Sequence, residues 1–351
     1  MSTQALSSPQ TQSTQPKPLI TGKKFDSIFC ASILWLLGGT FADAWAHNNI
    51  PQLETFWTPW HGILYSGLLF LICSLTTIMI INRRRSRNWI EAIPQGYKAV
   101  FLAVGLMVLV GLSDMTWHLL FGVEQNIDAL FSPTHLSGLI CISLVATGPL
   151  YSMYVRRFTP SSFSDYFLLA TAVLLPYILL VIALQSFSVF AHTWPVVTPV
   201  TFEIGQLAGI ASMVIQATIF TFFVLYVTRF WTFKLGMFTY ILGVVAIGLS
   251  IMNQLWYTIP VFLLGGVIVD LAYHFLAPSS KHLLEMRIFS AIAAGAPYAV
   301  YMIWVSSTMH VVWTIHMLVG TVYILLMLGW ALSYLTYPPR RPAVDQPTKE
   351  E

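Results

Sequence analysis

Apolar residues run along this chain in long, nearly unbroken stretches separated by short polar segments, from about residue 26 to residue 336. The stretches do not alternate apolar with polar positions as the strands of a membrane barrel do. Several reach the roughly 20 residues that a helix needs to cross a bilayer. They predict ten spans, at 26–46, 60–82, 97–121, 133–155, 165–190, 200–228, 236–255, 258–277, 286–306 and 311–336. The expected fold is an all-α membrane protein of about ten transmembrane helices, built from tandem helical hairpins. Residues 1–25, rich in Ser, Thr, Gln and Pro, read as a disordered tail, and 338–351 read the same way. Between them lie a first half, 26–155, and a second half, 156–337, with no stretch left over for a soluble domain.

Composition agrees with this class. Hydrophobic residues make up 56% of the chain and charged residues 9%, against about a quarter in soluble domains. The 17 Lys and Arg then fix an orientation. With ten spans and both termini cytoplasmic, every one of them falls on the inner face, as the positive-inside rule requires. The net charge of +3 is therefore a topology signal. No basic-aromatic patch or nucleic-acid motif accompanies it, which excludes a nucleic-acid partner. The expected surroundings are the lipid of a bacterial-type plasma membrane, with partner membrane subunits or further copies of the chain as candidate neighbours. Cys30, Cys73 and Cys141 all fall inside spans and read as small apolar residues. A competing signal-peptide reading, with cleavage after Ala46, would discard Asp43 from the pattern described next.

Acids and imidazoles gather at the opposite, outer ends of the spans. The hairpin of spans one and two carries DAWAHNNIPQLETFWTPWHG, from Asp43 to Gly62, and that of spans three and four carries DMTWHLLFGVEQNIDALFSPTHL, from Asp114 to Leu136. Both read Asp-x-x-x-His, then a Glu (Glu54 or Glu124), then Thr/Ser-Pro-x-His. They describe an internal repeat of one hairpin. A weaker third copy is Ser188-x-x-x-His192 followed by Thr198-Pro199-Val200-Thr201, and a fourth near Ile251 and Pro260 has lost every ligand type.

The spacing has a physical meaning. Residues four apart share one helix face, so Asp43 and His47 can address one ion, as can Asp114 and His118. Proline suits the first turn of a helix, which places His61 and His135 one turn inside the next span. Each Asp-His-His set offers mixed N and O donors with coordination positions left open, the pattern of a reactive rather than a closed structural site. Such donors suit copper, zinc, iron or nickel. Intramembrane acids with no Lys or Arg nearby point the same way, and the plainer alternative is a pair of polar networks in which each Asp bonds its own His.

The Asp114-x-x-Trp117-His118 and Phe131-Ser132-Pro133-Thr134-His135 stretches, echoed by Asp43, His47 and Trp57-Thr58-Pro59-Trp60-His61, resemble the metal-binding segment of the C subunit of copper membrane monooxygenases, the particulate methane and ammonia enzymes. The resemblance implies copper bound by Asp114, His118 and His135, oxygen chemistry, and partner subunits. It covers the motif and not the chain. The gap between the two His is longer here, and the family subunit carries one motif rather than two.

Further candidate contributors are Glu124, His192, Glu203, His310 and His316. The lone His residues also suit hydrogen-bonded interfacial positions, and Glu54, Glu124 and Asp128 suit loops. Asp270 and His274 repeat the i, i+4 pair near the inner end of span eight, as a second site or as partners of each other or of Lys281. Three functions are compatible with this pattern. One is a copper-dependent membrane oxidoreductase, monooxygenase-like, with its metal on the extracytoplasmic side. One is a zinc-dependent membrane hydrolase with Glu124 or Glu203 as base. The last is a transporter or metal-handling protein.

Overall fold

A computed structural model describes residues 20–50, 57–122, 124, 128, 131–196 and 202–338. The tails beyond these limits, Glu54 and the Thr198–Thr201 part of the weak third repeat lie outside the described residues. Among the described residues the structure is helical, with no strand longer than an isolated bridge between Ser279 and His282.

Ten long helices follow the ten apolar stretches: α1 Gly22–Asn49, α2 Pro59–Arg83, α3 Lys98–Phe121, α4 Pro133–Val155, α5 Phe163–Ala183, α6 Phe202–Thr228, α7 Met237–Asn253, α8 Thr258–Leu276, α9 Leu283–Thr308 and α10 Ile315–Thr336. A one-turn helix, Trp89–Ala92, lies between α2 and α3. Among the described residues nine of the ten are long and apolar enough to cross a bilayer. The other, α7, has 17 residues, so it is about 25 Å long at 1.5 Å per residue, short of the roughly 30 Å hydrocarbon core.

Several boundaries shift by a few residues from expectation, and two have a clear local cause. Helix α1 starts at Gly22, inside the stretch expected as tail to residue 25, because the Asn82 side chain holds the Ile20 backbone in both directions, at 2.7 and 2.9 Å. Helix α5 stops at Ala183, well before residue 190, and gives way to a 3-10 turn at Gln185–Phe187. There the Ser188 hydroxyl donates to the Gln185 carbonyl and accepts from the Phe190 amide, a local alternative to continued helix.

Helix α5 is the hub. Its most apolar window is 78% buried, and it packs against α1, α4, α6 and α7. A helix apolar on every face belongs in such a position. Hairpins α1–α2 and α3–α4 form one side of the molecule, and α6 to α10 the other. The α1–α2 pair is closely approximated through glycine. A Cβ on Gly39 would stand 2.5 Å from Leu64 Cα, and one on Gly67 would stand 2.6 Å from Leu36 Cα. Small residues at such crossings let backbones meet, as is usual between membrane helices. Helices α2 and α3, by contrast, scarcely touch.

Two charge pairs lie at the other end of the bundle. Asp26 in α1 is fully buried, bound by the Arg156 guanidinium and by the Tyr97 hydroxyl at 2.7 Å. Lys23 reaches Asp165, which closes a capping box with Ser162 at the start of α5. Asp270 does not pair with His274 or Lys281. Its carboxylate accepts from the backbone amides of Phe238 and Thr239, at 3.2 and 2.8 Å, and from the Thr239 hydroxyl at 2.6 Å. It thus serves the exposed amides at the start of α7, where any helix needs acceptors. His274 is exposed and its ring lies beside Phe275. This pair does not form a second site.

Candidate metal centre

The motif Thr/Ser-Pro-x-His owes its form to helix capping. Thr58 and Ser132 are the N-caps of α2 and α4, with Pro59 and Pro133 in the first turn. Each cap hydroxyl accepts the backbone amide of the His three residues on, His61 at 3.2 Å and His135 at 3.3 Å. A helix start has amides without intrahelical partners, and Ser or Thr supplies the acceptor. The imidazole backbone is therefore fixed by the same residues that start the helix. On the preceding helices, Asp43 and His47 lie one turn apart near the end of α1, and Asp114 and His118 near the end of α3. Gly122, with φ +85°, ends α3 in a conformation that favours glycine.

These four helix ends meet. The imidazoles of His47, His61, His118 and His135 form one group, with ring centroids 5.4 to 6.4 Å apart across five of the pairs. Asp43 Oδ1 lies 3.2 Å from His61 Nε2, and Asp43 Oδ2 lies 3.8 Å from His47 Nε2. In the second hairpin Asp114 Oδ1 lies 3.3 Å from His135 Nε2 and 3.5 Å from His118 Nε2. Ligand-competent atoms of Asp43, His47 and His61 all fall within 4.8 Å of one another, and so do those of His61, Asp114 and His118. His61 thus belongs to both sets, and the two hairpins share one centre.

The outer nitrogens are held by acceptors. His47 Nδ1 is 2.7 Å from the Glu124 backbone carbonyl. His118 Nδ1 is 3.1 Å from Glu124 Oε2 and 3.3 Å from the Gly122 carbonyl. Carbonyls only accept, so His47 Nδ1 carries the N–H, and an acceptor on both sides of His118 Nδ1 favours the same tautomer. In the neutral rings of His47 and His118, Nε2 then presents its lone pair to the centre. Glu124 is itself positioned by Trp117, whose Nε1 donates to Oε1 at 2.5 Å. The Tyr65 hydroxyl, one turn beyond His61, donates to Asp114 Oδ2 at 2.9 Å. Outer hydrogen bonds of this kind orient metal-binding imidazoles and carboxylates.

The inner contacts, at 3.2 to 3.8 Å, run from the upper limit of the usual 2.7 to 3.2 Å N–H···O range to beyond it. Donors sharing a tetrahedral ion at bond lengths near 2.05 Å stand about 3.3 Å apart, toward the lower end of the observed range. The charge count agrees. Asp43, Asp114 and Glu124 converge in a largely buried site, while the carboxylates that Lys and Arg pair with among the described residues are Asp165 and Asp26. Carboxylates removed from water require a compensating cation or proton.

All six residues of the two Asp-His-His sets are brought together, and Glu124 joins them from outside. His192, Glu203, His310 and His316 are exposed and belong to neither ligand set. His192 lies 3.0 Å from the Ser186 carbonyl and against the Trp194 ring, and His316 opens α10. Asp128 is exposed as well. Tyr65 escaped the sequence reading, although its position four residues after His61 places it on the same helix face.

Fold and site together define a multi-pass helical membrane-type protein whose buried His-carboxylate group could hold metal. The chain matches no family model, no curated protein and no solved structure in any of three comparisons.

Proposed function

We propose that this chain is a copper-dependent membrane oxidoreductase, monooxygenase-like, in which both Asp-His-His sets build one metal centre. The observation that carries the reading is the convergence of four imidazole Nε2 atoms on two carboxylates at separations suited to shared coordination. Imidazole and carboxylate without thiolate suit copper, with iron or zinc as alternatives. Copper bound there would supply one-electron redox chemistry and reactivity toward dioxygen. The protein's own residues orient it. Glu124 and Gly122 hold the outer imidazole nitrogens, and Tyr65 steadies Asp114. The reducing equivalents come from a partner subunit or a membrane-soluble donor.

All ten helices cross the bilayer in this reading, α7 by local thinning of the bilayer and snorkelling of its flanking residues. Both termini then lie on the cytoplasmic side of a bacterial-type plasma membrane, and the Lys and Arg distribution supports an extracytoplasmic centre. The likeness between the two hairpins marks a duplication.

The zinc hydrolase is the second reading. Glu124, its candidate base, is committed to Trp117 and to the outer side of His118, and Glu203 is exposed and outside both ligand sets. Against the transporter reading, Asp270, the acid at the inner end of the bundle, is bonded to the start of α7.

Metal analysis by mass spectrometry tests the proposal, on protein purified in mild detergent after supply of copper, iron and zinc. A variant with Asp114, His118 and His135 all changed to Ala is measured beside it. Copper at one or two per chain, lost in the variant, is the expected result. Zinc in its place moves the assignment to the hydrolase, and equal metal in both proteins ends the metal reading.

A further inference from the structure

Two cavities meet at Tyr65. The first, of about 190 Å³, lies inside the α1–α4 bundle beside the metal centre, with Asp43, His47, Asp114 and His135 in its wall. The rest of its lining is mostly apolar, including Leu36, Met107 and Ile142, all buried. The second is a cleft between α2 and α3, where those helices scarcely touch, floored by Gly62, Leu69, Val108 and Leu112. Leu69 and Leu112 are 62% and 57% exposed, and on membrane-crossing helices such residues face lipid. Leu68, Gly111 and Tyr65 border both spaces. The Tyr65 ring lies over Gly111, where a Cβ would come within 3.0 Å of Cε1, and its hydroxyl is tied to Asp114 at 2.9 Å.

We infer that a small, largely apolar molecule dissolved in the bilayer enters sideways between α2 and α3, passes Tyr65, and occupies the inner cavity next to the metal donors. This rests on the reading of the centre as a site of chemistry and names its substrate class. The size sets a limit, since a cavity near 150 Å³ accommodates benzene. An ionic molecule would lose its hydration against these walls. One polar group is accommodated: the buried Gln185 side chain lines the cavity, and its Oε1 accepts no hydrogen bond from the described residues. Gly111 is the feature that lets the Tyr65 ring lie flat across the opening, and the hydrogen bond to Asp114 couples the gate to a metal donor.

The test uses the full chain in phosphatidylcholine vesicles with a short aliphatic diazirine as the probe, irradiated and mapped by peptide mass spectrometry, with metal content measured on the same samples. Labelling of lipid-facing Leu69 and Leu112 is the internal control. The expected result is labelling of buried Met107 and Ile142 as well. Gly62 has open space around it in the cleft, so Gly62→Phe should plug the cleft and reduce labelling of Met107 and Ile142 at least about fivefold, with Leu69 still labelled. Tyr65→Phe keeps the ring and removes the tie to Asp114, so inner labelling should rise on the order of tenfold, as expected for loss of one hydrogen bond to a charged acceptor. A wild-type protein that carries metal and labels only at Leu69 and Leu112 overturns the passage and leaves the metal centre standing. Inner labelling that Gly62→Phe does not change also overturns it, because the probe then enters elsewhere. Inner labelling in protein that binds no metal supports the passage and removes the proposed function alone.

Discussion

His61 is the side chain whose removal separates one shared centre from two independent ones. Its Nε2 lies 3.2 Å from Asp43 Oδ1, and it also falls within 4.8 Å of the donor atoms of Asp114 and His118. Four-ligand zinc sites bind with roughly 10–16 kcal/mol, which is about 2.5–4 kcal/mol per ligand. At about 1.4 kcal/mol per factor of ten, His61→Ala should weaken metal binding ~10²- to 10³-fold. Because His61 serves both sets, all the bound metal should weaken and not half of it. The assay is a competition titration of detergent-solubilised protein against a chromophoric chelator of known affinity, read as a binding curve. His192→Ala is the control. Its ring sits by the Ser186 carbonyl and Trp194, and the affinity should stay within about twofold of wild type. A biphasic curve for His61→Ala, with half the metal at wild-type affinity, would refute the shared centre. Equal losses in His61→Ala and His192→Ala would refute the assignment of donors altogether.

Other consequences are open to direct measurement. Glu124→Gln removes the carboxylate beside His118 Nδ1 while leaving the carbonyl that holds His47, so metal affinity should fall about 10- to 100-fold in the same titration. Asp26→Ala leaves Arg156 without its buried partner and should destabilise the protein by roughly 3–5 kcal/mol. Thermal unfolding in detergent would show this, and Asp26→Leu combined with Arg156→Met should recover much of it. Asp270→Ala should cost about 1–3 kcal/mol through the uncapped start of α7. Its metal content should equal wild type, and a loss of metal would revive a second site at Asp270. Gly67→Leu should force α1 from α2 and release metal together with stability, since a Cβ alone already stands 2.6 Å from Leu36 Cα.

Much of the architecture was readable from the order of residues. Apolar stretches of bilayer length can satisfy their backbone in only a few ways, so ten helices followed directly. The pairs Asp43–His47 and Asp114–His118 were legible because helical periodicity is local. So was the placement of His61 and His135 one turn inside a helix, since proline marks the start. The hydroxyl caps of Thr58 and Ser132 belong to the same local code and explain why a Ser or Thr precedes each Pro.

Packing decided the rest. Nothing in the spacing required the ends of α1, α2, α3 and α4 to meet, and the merging of two three-residue sets into one four-imidazole group depends on how the hairpins lie against α5. The role of Glu124 depends on the chain turning back after Gly122, which brings a carbonyl to His47 from the other hairpin. Asp270 and His274 have the same spacing as the site pairs, yet α7 begins beside Asp270 and takes its carboxylate for two amides and a hydroxyl. A local pattern fixes which side chains share a helix face. Which faces come together is set by non-local packing, such as that of α1 and α4 against each other and against α5, and this packing turned two candidate motifs into one candidate centre.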